Sequence, residues 1–214
     1  MSAVGLFYVG AVLFINGLML LGRISPKSAG IFNVFVGALQ CTIPIILLSQ
    51  AGDDPAVFHA NFAILLFGFT YLYVGISNLT GISGEGIGWF SLFVAGSAVY
   101  MGFDSFTAGD LTFGVIWLAW AVLWTLFFLL LALDKAELTT FTGWLVTLWS
   151  IPTCSVPAAL LMRDIWEPGR SGAATALVTL GLLAAAATIM TRRSTTTNTH
   201  RAAVDVDELS SQTA

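Results

Sequence analysis

The sequence predicts an all-α, polytopic membrane protein with six core transmembrane helices and a seventh, C-terminal one. Three observations predict this fold: an apolar composition, apolar stretches long enough to cross a bilayer, and turn-forming residues between those stretches. Of the 214 residues, 57% are hydrophobic and only 9% are charged, whereas a soluble domain carries about 25% charged residues. A soluble protein of this size could not bury so much apolar surface. With a net charge of −4, the composition excludes a soluble enzyme and a nucleic-acid-binding protein.

Each predicted span has close to the roughly 20 apolar residues that a helix needs to cross the hydrocarbon core. Because backbone groups within lipid must hydrogen-bond internally, we expect the spans to be helices. Clusters of Gly, Pro and Asp separate them, as in the segment 52–55. The seven predicted spans are Ala3–Gly22, Ala29–Gln50, Asn61–Leu79, Ile87–Phe103, Thr112–Leu133, Phe141–Met162 and Ser171–Thr191.

The spans divide the chain into three parts. Residues 1–162 form a predicted six-helix core, and residues 163–191 contain the additional transmembrane helix. Residues 192–214 are polar, with a run of Ser, Thr and Asn that cannot form a core. We therefore expect this last part to be a disordered cytoplasmic tail.

The distribution of Lys and Arg predicts the orientation in the cell membrane. If the N-terminus lies outside, the cytoplasmic side holds six of the eight basic residues. Positively charged loops tend to stay in the cytoplasm, so this arrangement is favoured over its inverse. The cytoplasmic residues are then Arg23, Lys27, Lys135, Arg192, Arg193 and Arg201, and the outside ones are Arg163 and Arg170.

The predicted spans contain no Asp, Glu, Lys, Arg or His. Ionisable groups inside a membrane mark ion paths, proton relays and counter-ions, so a proton-coupled carrier and a retinal protein are disfavoured. An intramembrane protease is disfavoured as well, because it needs a nucleophile with its base, an Asp pair or a metal site. The sequence thus predicts no catalytic residue, no metal and no cofactor. Passage of a neutral solute, or a structural role, remains.

A row of aromatic residues marks the fifth span. Phe113, Trp117, Trp120, Trp124 and Phe127 recur at steps of 4, 3, 4 and 3, which places them on one helix face. Such a row can pack against neighbouring helices or lipid. Alternatively, it can form a pore wall, since flat rings stack on a flat amide and an indole N–H donates a hydrogen bond.

The third span carries a second row on one face. Phe67, Tyr71, Val74 and Asn78 are spaced by 4, 3 and 4 residues, and Thr70 flanks them. This row is consistent with ordinary packing, in which polar groups join helices. It is also consistent with an aromatic constriction in which a phenol and an amide form hydrogen bonds with a solute. Asn16 leaves the same two alternatives open, as an interhelical hydrogen-bond partner or a solute ligand.

Two longer segments resemble the AmiS/UreI family of urea and amide channels. They are Leu65–Tyr73 in the third span and Ile116–Trp124 in the fifth. Shorter matches, such as Pro26-Lys27-Ser28, extend the resemblance over residues 1–162.

The resemblance implies a protomer of three helical hairpins around its own pore, assembled as a homohexamer. It implies passive passage of urea or short-chain amides towards a cytoplasmic urease or amidase. Phe113 stands where the acid-gated urea channels are expected to have Trp. Trp149 stands where they are expected to have Glu, and this second difference favours the amide branch. His59 is the one histidine on the predicted outer side, so acid gating is not expected. The implied pore residues are Phe67, Tyr71, Phe113, Trp117, Trp120 and Trp124, with Asn16, Thr70, Asn78 and Trp149 as secondary candidates.

The predicted function is therefore a passive membrane channel for small neutral amides or urea. Two alternatives remain: a non-transporting membrane sensor or assembly protein, and a secondary transporter of small amides. Flux through the purified protein separates the channel from the sensor, and dependence on an ion gradient identifies the transporter.

Overall fold

The computed structural model describes residues 3–212, with side chains described for residues 3–59 and 61–194. Within this range the chain is helical and contains no strand. Its helices are α1 (Ala3–Leu20), α2 (Pro26–Gln50), α3 (Pro55–Thr80), α4 (Glu85–Thr107), α5 (Leu111–Leu131), α6 (Thr139–Ser150), α7 (Val156–Met162) and α8 (Arg170–Gln212).

Seven stretches of the described helices are long and apolar enough to cross a membrane, which confirms the predicted number. The sixth span is composite: a 3₁₀ turn precedes α6, and the π-helical segment Ile151–Ser155 joins α6 to α7. Several helices begin before the predicted apolar stretch because a capping side chain satisfies a free backbone N–H. Asp54, for example, accepts a hydrogen bond from the Ala56 N–H (2.9 Å) and starts α3 at Pro55.

Helix α8 continues past Thr191, the predicted end of the seventh span. Arg192, Arg193 and Ser194 are helical, and the Ser194 hydroxyl donates to the Met190 carbonyl (3.0 Å). The helix therefore runs beyond its apolar part, and the predicted disorder of residues 192–214 stays a prediction. The side chains of the remaining predicted tail, residues 195–214, lie outside the described residues.

The first six spans form a closed ring in chain order. The closest pairs are α2 with α3, α4 with α5, and α1 with the sixth span, while the intervening pairs are more loosely packed. Two of these close pairs are hairpins, as the family resemblance implies. The third pair is not, because it joins the first span to the sixth across the ring closure.

Glycines permit this close packing, because small residues let helix backbones approach one another in a membrane. A Cβ on Gly37 of α2 would lie 2.6 Å from the backbone N of Leu72 in α3. A Cβ on Gly17 of α1 would lie 2.7 Å from the backbone N of Thr147 in α6. Both separations are too short for any larger residue, so these two close contacts require glycine.

Helix α8 lies outside the ring, against α5 and the sixth span. The segment before it is tied to the start of α5, where the Leu111 N–H donates to the Pro168 carbonyl (2.8 Å) and the Thr112 hydroxyl donates to the Glu167 carbonyl (2.7 Å). The seventh span is therefore an addition to a complete six-span core.

Candidate functional site: an aromatic cluster at the end of an intramolecular cavity

A cavity of about 190 Å³ lies inside the ring of six spans. Four helices contribute to its wall: α1, α3, α4 and α5. It occupies the half of the bundle that holds the α1–α2, α3–α4 and α5–α6 loops, and it ends near the middle of the bundle at Leu13, Phe67 and Trp120. The lining residues are Leu13, Asn16, Met19, Leu20, Phe67, Thr70, Tyr71, Val74, Ser77, Asn78, Ile82, Gly84, Ile87, Ser91, Trp120, Leu123, Trp124, Phe127 and Leu131.

Four aromatic side chains meet where the cavity ends, and we call them the ring cluster: Phe67, Trp117, Trp120 and Trp124. The Phe67 centroid lies 5.9, 5.2 and 4.8 Å from those of Trp117, Trp120 and Trp124. Trp117 and Trp120 meet edge to face at 4.8 Å. These distances are typical of favourable aromatic pairs. All four rings are buried, so both aromatic rows face inward at this level.

The sixth span fixes the orientation of Trp120. The indole Nε1–H donates to the hydroxyl of Thr153 (3.1 Å), and that hydroxyl donates to the Trp149 carbonyl (2.6 Å). Thr153 lies in the π-helical segment beside Pro152. A proline removes a backbone donor and disturbs the helical hydrogen-bond pattern. Since the Trp120 N–H is already bonded, Trp120 offers a solute its ring rather than its hydrogen-bond donor.

Polar groups line the cavity between the ring cluster and the α1–α2 loop. Asn16 and Asn33 form a reciprocal amide pair, with N–H···O distances of 2.9 and 2.6 Å, so Asn16 both joins α1 to α2 and lines the cavity. Asn78 donates to the Met19 sulfur (3.3 Å). Ser77 is buried, and its hydroxyl has no hydrogen-bond partner among the described residues.

The structure brings most of the predicted site residues together. Trp117 lies just behind the cavity wall, in contact with Phe67 and Trp120. The Thr70 hydroxyl donates a hydrogen bond to the Leu66 carbonyl (2.7 Å). The predicted residues that line the cavity are Phe67, Tyr71, Trp120, Trp124, Asn16, Thr70 and Asn78.

Two predicted residues lie apart from the cavity. Phe113 packs against Trp166, with ring centroids 4.6 Å apart, at the opposite end of α5. Trp149 turns towards α8, where its indole N–H donates to the Leu180 carbonyl (3.1 Å). Neither side chain contributes to the cavity wall.

Sequence reasoning missed Ser77 and Thr153. Ser77 is an isolated serine in an apolar helix, and such residues usually bond their own backbone, so nothing in the sequence distinguishes it. Thr153 had a partial signal, because Pro152 marks a disturbed segment in the sixth span.

The cavity is electrically neutral at physiological pH. None of its lining residues is Asp, Glu, Lys, Arg or His, and no metal-binding group of three His, Cys, Asp or Glu occurs among the described residues. Moving an ion from water into such a space costs on the order of tens of kcal/mol by idealised Born estimates, whereas a neutral molecule loses only its hydrogen bonds to water. The site can therefore accommodate small uncharged solutes.

A ring of membrane-spanning helices around an uncharged internal cavity defines a polytopic protein of the channel or transporter class. Residues 1–165 match the model of the AmiS/UreI family of transporters. The chain belongs to this family, and the resemblance predicted from the third and fifth spans is confirmed.

Two similar proteins have names that agree with this assignment. The chain is 62% identical to the putative transporter protein AmiS2 of Rhodococcus erythropolis, over 76% of this chain and 79% of that protein. It is 53% identical to a putative amidate substrates transporter protein of Mycolicibacterium smegmatis, over 79% of this chain and 80% of the relative.

The fold also matches a solved structure. The crystal structure of the urea channel from the gastric pathogen Helicobacter pylori aligns with a TM-score of 0.71 and 35% identity. The alignment covers 78% of this chain and 100% of the urea channel. The family and this structural neighbour are transporters and channels, not enzymes.

Proposed function

We propose that the protein is a passive channel for short-chain aliphatic amides and urea, and that it supplies a cytoplasmic amidase or urease. The observation that carries this proposal is the uncharged cavity inside a single six-span ring, ended by the ring cluster of Phe67 and three tryptophans. A pore within one subunit gives each protomer its own path.

Selectivity follows from the chemistry of the wall. The cavity wall is mostly apolar, and it has no ring of carbonyls or charges that could replace the hydration shell of an ion. A flat amide can stack on the faces of Phe67 and Trp124. Small size, low desolvation cost and a planar shape therefore favour amides and urea over ions and over bulkier polyols.

Amides are favoured within this solute class. The relatives at 62% and 53% identity include one named for amidate substrates, whereas the urea channel is more distant at 35%. Trp149, which bonds to Leu180 in α8, also replaces the Glu that the resemblance leads us to expect in urea channels. Both observations support the amide branch.

The ring cluster is the proposed constriction. The cavity extends to Phe67 and Trp120, and no lining residue comes from the far side of these rings; in the proposed channel, a solute that crosses the bilayer passes between them. Edge-to-face pairs are worth about 0.5–1.5 kcal/mol each beyond their buried area. The energy needed to separate two such ring pairs is therefore small. The stacking of the solute on the same rings compensates for it.

Orientation and assembly complete the proposal. The N-terminus is placed outside and the C-terminal tail in the cytoplasm, because the positive-inside rule favours this arrangement; the cavity then faces the cytoplasm. We infer a homohexamer, in agreement with the family resemblance.

Stopped-flow measurements on proteoliposomes test the channel directly. We expect the protein alone to speed the entry of acetamide and urea, with glycerol slower, in the absence of any ion gradient. Trp120→Ala and Trp117→Ala should change flux or selectivity by about threefold or more, and Trp120→Phe serves if the alanine variants fold poorly. Trp89→Ala is the control, because Trp89 is 52% exposed and contacts Phe128 away from the cavity.

Each alternative has its own outcome. Equal flux in the wild type and both ring-cluster variants, at matched protein levels, contradicts the constriction. Flux that requires a proton or sodium gradient identifies a secondary transporter. Absence of any solute flux through the correctly folded protein favours a non-transporting sensor or assembly protein.

A further inference from the structure

Ser77 differs from the other hydroxyl residues of its helix. Serine and threonine in helices commonly donate to a backbone carbonyl one turn earlier, as Thr70 does to Leu66 (2.7 Å) and Thr80 to Ile76 (2.7 Å). Ser77 makes no such bond, although it is only 8% exposed and its oxygen is fully buried. Ser77 also lines the cavity, and rotation about its Cα–Cβ bond brings the unpaired hydroxyl to a molecule inside.

Two amide side chains, Asn16 and Asn78, line this part of the cavity and have unused hydrogen-bond donors and acceptors. A primary amide has two N–H donors and an oxygen with two lone pairs. Asn16 uses one donor and one lone pair on Asn33. Asn78 donates to the Met19 sulfur (3.3 Å), which is a weak acceptor. Both side chains can therefore donate to and accept from a bound molecule.

These three side chains lie at a similar depth in the bundle. Ser77 and Asn78 follow Tyr71 by six and seven residues, which is about 9–10.5 Å along α3. Asn78 contacts Met19, and Met19 is three residues, or about 4.5 Å, beyond Asn16 on α1. All three line the same cavity, away from the ring cluster and towards the α1–α2 loop.

We propose that Asn16, Ser77 and Asn78 form a second binding site for the amide group of the solute, which we call the inner polar site. This inference rests on the proposed channel function and adds to it a place where the solute is held. An amide or urea presents a carbonyl acceptor and N–H donors, and the inner polar site offers both donors and acceptors without charge. A solute that leaves the ring cluster thus regains hydrogen bonds at Ser77, ten residues or about 15 Å along α3 from Phe67.

Dependence of acetamide flux on acetamide concentration tests the inner polar site in proteoliposomes. We expect wild-type flux to saturate, and Ser77→Ala to raise the half-saturating concentration by about two- to tenfold, the effect of one hydrogen bond. The unfolding temperature should not fall, because the lost hydroxyl has no partner. Asn78→Leu is a second variant with the same expected shift. Ser97→Ala is the control, since Ser97 lies away from the cavity and bonds to Phe93 (3.0 Å).

Other outcomes overturn the inference in distinguishable ways. If both cavity variants retain the half-saturating concentration of Ser97→Ala, or if wild-type flux stays linear in acetamide, the inner polar site is wrong and the channel stands. If the wild type conducts no acetamide, both the site and the channel are wrong.

Discussion

The hydrogen bond between Trp120 and Thr153 makes a sharp prediction about the ring cluster. Thr153→Val keeps the shape of the side chain and removes its hydroxyl. The Trp120 indole N–H, now 3.1 Å from a methyl group instead of an oxygen, is left without an acceptor. Both residues are almost fully buried, at 1% and 0% exposure, so water cannot replace the lost partner.

The expected cost follows from this burial. A buried donor that loses its partner costs about 1–3 kcal/mol, so Thr153→Val should lower the free energy of unfolding by that amount. It should also change acetamide flux, because Trp120 is free to adopt another rotamer in the ring cluster. Thermal unfolding in detergent and stopped-flow flux measure the two effects.

A double-mutant cycle isolates the hydrogen bond from other effects of the substitution. Phenylalanine has no N–H, so in a Trp120→Phe background Thr153→Val should cost about 1 kcal/mol or less, mainly from its own bond to the Trp149 carbonyl. If Thr153→Val costs the same in both backgrounds, the hydroxyl does not act through Trp120 and the reasoning is refuted.

Three further predictions concern packing, the seventh span and pH. Gly37→Ala should destabilise the protein by about 1–3 kcal/mol. Gly96→Ala should not, because a Cβ at this position meets nothing within 4 Å. Thermal unfolding distinguishes the two variants, and equal unfolding midpoints contradict the close contact of α2 and α3. Trp149→Phe removes the bond to Leu180 and should speed hydrogen exchange in α8, and unchanged exchange contradicts that anchor. Acetamide flux at about pH 5 and about pH 7 should agree within about twofold, because the cavity wall holds no Asp, Glu or His that titrates in that range; a steep rise of flux in acid contradicts this reasoning.

The spans and the aromatic face of the cavity could be predicted from sequence alone. Length and hydropathy determine which stretches can cross a bilayer, and steps of three and four residues determine which side chains share a helix face. This is why Phe67, Trp120 and Trp124 meet as a group. For Asn16 the sequence allowed either a hydrogen bond between helices or a position at the solute path. In the structure Asn16 bonds to Asn33 and also lines the cavity.

Depth along the helix could not be predicted. Phe113 lies on the same face of α5 as Trp120, but seven residues correspond to about 10.5 Å along the axis, and the cavity ends before that point. Periodicity specifies direction around a helix and says nothing about where a cavity stops. The position of Trp149 outside this cavity could not be predicted for a related reason, since its partner is a backbone carbonyl of α8, and no pattern in the sequence pairs those two helices.

The pairing of α1 with the sixth span has a consequence for biosynthesis. Until residues 139–162 have entered the membrane, the face of α1 that bears Gly17 has no helix to pack against, because Gly17 packs against Thr147 of α6. Without the sixth span, the helices α1 to α5 cannot close into a ring. The lumen is therefore sealed in one late step, when the last core span closes against the first and before α8 is added on the outside.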